Sequence, residues 1–108
     1  MTNQYVRVAR ESEIPEDGVR EYEVDGTGIL LCRIGGEIYA IENLCTHDDG
    51  PLGEGCLDGC EIECPRHGAR FDVRTGAVTR MPAVAPVRTF PVKIEGGEIL
   101  VELEPAES

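Results

Sequence analysis

Two short cysteine–histidine pairs are the residues of this chain best suited to chemistry. One is a C-x-H motif at Cys45 and His47, and the other is a C-P-x-H motif at Cys64 and His67. Sixteen residues separate the two motifs, and they contain both histidines of the protein. Two thiolates and two imidazoles suit a [2Fe–2S] cluster with two cysteines on one iron and two histidines on the other. The spacing therefore predicts a single metal centre. The predicted ligands are Cys45, His47, Cys64 and His67.

Glycine-rich turns divide most of the remaining chain into short segments in which apolar and polar residues alternate. This pattern predicts β-strands, and no stretch has the spacing of a convincing amphipathic helix. Gly35-Gly36 and Gly96-Gly97 are expected to form hairpin turns, because glycine accepts the positive φ angles that such turns need. A further connection is expected at residues 25–28. The predicted strands cover residues 5–9, 19–24, 29–34, 37–42, 90–94 and 99–103. We therefore expect an all-β fold, a small antiparallel barrel or sandwich.

The segment from residue 44 to about residue 86 differs from these β-rich flanks in its density of glycine, proline, cysteine and charge. We interpret residues 1–108 as one domain in which residues 44–86 form an inserted or capping subdomain. Asp58-Gly59 is expected to form a hairpin turn that brings the two cysteine–histidine pairs together. The proline-rich residues 81–86 admit two interpretations, a rigid loop over the metal centre or an ordinary connection.

Composition excludes some classes of partner. The net charge of −11 argues against nucleic acid, whose phosphates would be repelled, and suits brief encounters with a basic protein surface. No stretch approaches the roughly twenty apolar residues of a membrane span, and the first residues lack a signal-peptide pattern. Five cysteines, an odd number, fit poorly with a secreted disulfide framework. We expect a cytoplasmic monomer that binds neither nucleic acid nor a membrane.

The spacing C-x-H, sixteen residues and then C-P-x-H-G resembles the two boxes of the Rieske [2Fe–2S] family. In respiratory members each box carries one additional cysteine, and a disulfide joins the two. Here those positions are Gly50 and Arg66. The chain therefore resembles the disulfide-free branch, the Rieske-type ferredoxins of multicomponent aromatic-ring dioxygenases. The agreement extends over nearly the whole chain and includes the F-D-V-R-T-G segment at residues 71–76.

The resemblance implies a role for each predicted ligand. Cys45 and Cys64 would bind one iron, while His47 and His67 would bind the other through Nδ1, with their Nε2 edges toward solvent or a partner. The implied function is that of a soluble carrier of single electrons from a ferredoxin reductase, expected to be flavin-dependent, to a terminal oxygenase. The chain itself is not expected to be an enzyme, because no histidines remain for an oxygen-activating metal.

Several alternatives remain open from the sequence. A zinc site could use the same four ligands, although the spacing differs from that of common zinc fingers. An all-cysteine site of Cys45, Cys56, Cys60 and Cys64 would leave both histidines without a role. The protein could instead serve iron–sulfur assembly or a nitrite-reductase-like system. Cys32 is expected to be a buried apolar residue. Cys56 and Cys60 are expected to be free thiols, with a disulfide as the alternative.

Overall fold

The computed structural model describes residues 4–46, 50–83 and 85–104. Within these ranges the chain forms eleven strands and one short 3-10 helix, Glu11–Glu13. The strands are β1 (Gln4–Arg10), β2 (Val19–Val24), β3 (Thr27–Ile34), β4 (Glu37–Glu42), β5 (Cys56–Asp58), β6 (Glu61–Glu63), β7 (Arg70–Asp72), β8 (Val78–Arg80), β9 (Thr89–Phe90), β10 (Val92–Glu95) and β11 (Glu98–Glu104). All of their pairings are antiparallel, which confirms the predicted fold class.

The strands form three sheets. A terminal sheet has the order β1-β11-β10, a central sheet β2-β3-β4-β9, and a small sheet β5-β6-β7-β8. The hairpins within them depend on residues that accept positive φ angles: Gly35 and Gly36, for example, have φ of 59° and 83°. No helix among the described residues is long and apolar enough to cross a membrane.

The central sheet is covered on both faces, and β3 shows this most clearly. Ile29 and Leu31 pack in one apolar cluster with residues of the terminal sheet, whereas Leu30 and Cys32 pack in another with residues of the small sheet. All four are 0% exposed. Because successive side chains of a strand point to opposite faces, one continuous apolar run supplies both clusters. The side of β3 that faces the small sheet is also the side on which the cysteines of the two motifs lie.

The prediction of one strand over residues 90–94 is wrong. Pro91 divides it into β9, which pairs with β4 in the central sheet, and β10, which pairs with β11 in the terminal sheet. Proline has no N–H to donate to a strand ladder, so the chain leaves one sheet and enters the other at this residue.

Most of the other predicted strand boundaries agree with the structure within one residue, and two connections differ. β2 and β4 begin and end where the alternation predicts. β3 begins at Thr27, so only Asp25 and Gly26 remain in the turn before it. The prediction of a turn at Asp58-Gly59 is wrong by one residue. Asp58 is paired with Glu61, which leaves Gly59 and the residue after it as the turn. Gly59 has φ of +62° and takes the turn position that favours glycine.

Candidate metal centre

The second motif lies in a hairpin loop, residues 64–69, which we call the Cys64 loop. It joins β6 to β7. The pair of residues next to the loop is Glu63, at the end of β6, and Arg70, at the start of β7. The Cys64 N–H donates to the carbonyl of Ala69 at 2.7 Å, and the Gly68 N–H donates to the carbonyl of Cys64 at 3.0 Å. Gly68 has φ of +81°, a conformation that L side chains rarely adopt. The loop is thus closed by its own backbone.

The first motif begins the loop of residues 45–50, which we call the Cys45 loop. The Cys45 N–H donates to the carbonyl of Gly50 at 2.7 Å. In both loops, therefore, the cysteine amide bonds the carbonyl five residues further along the chain, at the same distance. This shared closure gives the two cysteines matching backbone positions. The predicted ligand His47 lies outside the described residues.

The two cysteines are buried together, and the histidine of the second motif is exposed. Cys45 and Cys64 are each 0% exposed and belong to the same apolar cluster between the central and small sheets. His67 lies on the exposed side of its loop. Each motif thus directs its thiol inward, and the second directs its imidazole outward. No three His, Cys, Asp or Glu side chains surround one metal ion in the part of the chain that the structure describes. Buried thiols and an exposed imidazole are the donors that a cluster with two cysteines on one iron and two histidines on the other would need.

The two loops also contact each other directly. Arg66, at the tip of the Cys64 loop, donates from Nη2 to the carbonyl of Pro51 at 3.0 Å. Its guanidinium covers Gly50 so closely that a Cβ built there would lie 2.5 to 2.7 Å from Cζ, Nη2 and Nε. Gly50 and Arg66, the positions at which the respiratory branch carries its cross-loop disulfide, are therefore in contact here.

Two side chains that the sequence did not single out support the Cys45 loop. The Asn43 side-chain oxygen accepts hydrogen bonds from the Leu52 and Gly53 amides, both at 2.8 Å. The Thr46 hydroxyl donates to the carbonyl of Ala85 at 2.6 Å. An asparagine ahead of a loop is a known backbone-bonding residue, so Asn43 offered a weak sequence signal. The Thr46 contact places Ala85, which belongs to the proline-rich segment, beside the Cys45 loop.

A cluster of charges supports the Cys64 loop. Arg70 makes ion pairs with Asp58 and Glu61, both at 3.2 Å, and with Glu63 at 3.0 Å. These hydrogen bonds, the one to Glu61 foremost, raise the pKa of Arg70. The four residues come from β5, β6 and β7, so the cluster ties the strands on both sides of the loop. The sequence did not indicate this role for Arg70.

The other three cysteines lie in different surroundings. Cys32 is 0% exposed, as predicted, and burial raises the pKa of its thiol to about 12, so it stays protonated. Cys56 is exposed on β5, and Cys60 is half-buried in the following turn. Neither forms a disulfide, which confirms the free thiols. An all-cysteine site is not supported, because Cys56 and Cys60 are not part of the buried cluster that contains Cys45 and Cys64.

Comparison with known proteins extends these observations over most of the chain. A family model described as the Rieske [2Fe-2S] domain matches residues 4–91. The ferredoxin component of the naphthalene 1,2-dioxygenase system of Pseudomonas aeruginosa is 43% identical over 103 residues, which are 95% of this chain and 99% of that protein. The ferredoxin component of biphenyl 2,3-dioxygenase from Rhodococcus jostii is 39% identical over 98 residues, 91% of this chain and 92% of that protein.

Solved structures show the same relationship. The ferredoxin of carbazole 1,9a-dioxygenase from Nocardioides aromaticivorans has a TM-score of 0.89 and 43% identity, and the match covers 94% of this chain and 99% of that one. A chain from a complex of reduced oxygenase and oxidized ferredoxin in carbazole 1,9a-dioxygenase has a TM-score of 0.88 and 33% identity, covering 99% of this chain and 100% of that one. The similarity thus covers nearly the whole chain.

Proposed function

Because the chain belongs to the Rieske [2Fe–2S] family, we propose that it carries single electrons from a ferredoxin reductase to the terminal oxygenase of an aromatic-ring dioxygenase system. Its cofactor is a [2Fe–2S] cluster, and the chain is an electron-transfer component rather than the catalyst. Its relatives are named as ferredoxin components of such systems, which favours a dioxygenase as the electron acceptor over iron–sulfur assembly or a nitrite reductase.

We assign the ligands to Cys45, His47, Cys64 and His67. The observation that carries this assignment is the identical closure of the two loops, which places both cysteines in one buried cluster. When bound, the cluster supplies a centre that accepts and releases one electron. The buried thiols of Cys45 and Cys64 would hold the cluster away from water. The exposed imidazole of His67 would be the ligand nearest to a docked partner.

The remaining features of the proposal concern the setting of the protein. We place it in the cytoplasm as a monomer, with a flavin-dependent reductase as the electron donor. The net charge of −11 favours fast association with a basic partner surface. Added salt screens this attraction and should slow the association. Turnover needs rapid release as well as rapid binding, which suits a small docking surface. We also propose that residues 44–86 form the cluster-binding subdomain of the single domain, residues 1–108.

The ligand assignment is tested by serine substitutions with a matched control. Cys45→Ser and Cys64→Ser each remove a proposed ligand, whereas Cys56→Ser removes an exposed thiol outside the buried cluster. We expect the first two variants to lose the electron paramagnetic resonance signal of the dithionite-reduced cluster, and Cys56→Ser to keep it. Iron and acid-labile sulfide analysis should give the same division. A wild-type protein that contains zinc and no iron would contradict the cofactor and the function together.

The proposed electron acceptor, a terminal oxygenase, is tested by reconstitution. Wild-type protein, added to an aromatic-ring dioxygenase and its reductase, should restore oxidation of the aromatic substrate with NAD(P)H as the electron source, while Cys64→Ser should not. If reduced wild-type protein keeps its cluster but delivers no electrons to any dioxygenase tested, the ligand assignment holds and the proposed electron acceptor is wrong.

A further inference from the structure

Arg66 occupies an unusual place for a residue between two ligands of a metal centre. It lies one residue before His67 in the Cys64 loop, yet both of the contacts described above reach the other loop, at Gly50 and Pro51. Gly50 is the last residue of the Cys45 loop, where its carbonyl also accepts the hydrogen bond from Cys45, and Pro51 follows it. The Arg66 guanidinium therefore touches the residue that closes the Cys45 loop.

Gly50 fits this contact for a steric reason. Its φ lies outside the left-handed region, so an alanine could adopt its backbone conformation. The three nearest atoms to an added Cβ all belong to the Arg66 guanidinium, at 2.5 to 2.7 Å. What a side chain at position 50 meets first is thus the planar head of Arg66. The glycine leaves the space in which that head lies flat between the loops.

We propose that Arg66 is a positioning residue for the cluster, a clasp that holds the Cys64 loop against the Cys45 loop through Gly50 and Pro51. The proposal rests on the ligand assignment above, because the two loops carry those ligands. The clasp would fix the relative position of the two halves of the site without a covalent bond. Its positive charge would also favour the reduced cluster, which carries one more electron than the oxidised form.

The clasp predicts that substitutions at positions 50 and 66 are coupled. Arg66→Ala removes the hydrogen bond and the charge, while Gly50→Ala pushes the guanidinium out of its place. Each should speed the loss of cluster absorbance in the presence of a chelator about fivefold, the factor that corresponds to about 1 kcal/mol for one hydrogen bond. The double variant should lose its cluster no faster than Arg66→Ala, because the added methyl group then meets no guanidinium.

The reduction potential tests the electrostatic effect of Arg66 on the cluster, which a merely structural contact would not have. Arg66→Ala and Arg66→Gln should both lower the potential, since each removes the positive charge. Arg66→Lys should keep the potential close to that of the wild type. It should restore part of the cluster retention, because an ammonium can bond the Pro51 carbonyl but cannot lie flat on Gly50.

The outcomes are distinct from those of the ligand test. Suppose that the variants assemble a cluster with a normal resonance signal and lose it to the chelator at the wild-type rate. That result would overturn the clasp without contradicting the ligand assignment. Additive effects of the two alanine substitutions would also overturn it. If Gly50→Ala fails to fold while the double variant folds, the coupling is confirmed directly. If both fail to fold, the steric conflict at Gly50 is not with Arg66 and the proposal is wrong.

Discussion

The Cys64 loop joins two neighbouring strands of one sheet, whereas the Cys45 loop runs from the central sheet toward the small sheet. Both are closed by a 2.7 Å hydrogen bond from the cysteine amide to the carbonyl five residues on. Their supports differ. The Cys64 loop is fixed by the pairing of β6 with β7, in which Glu63 lies opposite Arg70. The Cys45 loop depends on the side chains of Asn43 and Thr46.

This difference indicates where each half of the metal centre is vulnerable. Backbone pairing distributes the support of a loop over many hydrogen bonds, so that no single side chain controls it. A loop supported by side chains can lose its position through one substitution. We therefore expect substitutions beside the Cys45 loop to affect the cluster more than substitutions of comparable size beside the Cys64 loop.

Asn43→Ala should have the largest effect of the predictions that follow. The substitution leaves the Leu52 and Gly53 amides without the oxygen that accepts from both. Losing this partly buried acceptor should lower the free energy of unfolding by about 2 kcal/mol, as measured by denaturant titration. Hydrogen exchange should show faster exchange at the amides of Cys45, Leu52 and Gly53, with the Cys64 amide unchanged.

Asn43→Asp is the matched control, because it keeps an oxygen acceptor of the same size and reach. It should retain most of the stability and the slow exchange of the Leu52 and Gly53 amides. Equal loss of protection at the Cys45 and Cys64 amides in Asn43→Ala would show that the two loops do not have separate supports.

Arg70→Met tests the support of the Cys64 loop and should have a smaller effect. The substitution removes the positive charge that Asp58, Glu61 and Glu63 share, so these carboxylates should repel one another. The side chain is 23% exposed, which allows water and salt to screen the charges. We expect a modest drop in the thermal unfolding midpoint, one that shrinks as the sodium chloride concentration rises.

Arg70→Lys provides the control for charge. It keeps a cation at the same place but lacks the fork of nitrogens that bonds several carboxylates at once, so it should recover part of the midpoint. A loss in Arg70→Met as large as that in Asn43→Ala, and insensitive to salt, would mean that the Cys64 loop depends on this side chain rather than on strand pairing.

The same contrast explains what could be predicted from the sequence. Strand alternation and glycine turns determine β2 and β4, and they predicted both correctly. The sequence predicts the turn after β5 one residue too early, because both possible two-residue turns include Gly59. Only the pairing of Leu57 with Ile62 decides between them, and that pairing depends on the packed sheet.

The contacts between the loops were less predictable. In the sequence, Arg66 and Gly50 stand out only as positions without the disulfide of the respiratory branch. Their contact depends on how two loops from different parts of the fold meet, which no local pattern encodes. The same holds for Thr46, whose partner Ala85 is 39 residues further along the chain. The family and its [2Fe–2S] cofactor could thus be predicted from the spacing of the two cysteine–histidine pairs, while the supports of the two loops could not.

Thr46→Val should have the smallest effect, and it decides between the two interpretations of residues 81–86. Valine keeps the shape of threonine and removes the hydroxyl that donates to Ala85 at 2.6 Å. If these residues cover the cluster, releasing them should speed bleaching by a chelator about twofold, as expected for the loss of about 0.5 kcal/mol from one exposed hydrogen bond. Thr46→Ser keeps the hydroxyl and should bleach at the wild-type rate. Equal bleaching of all three proteins would mean that residues 81–86 are an ordinary connection, whose contact with the Cys45 loop does not protect the metal centre.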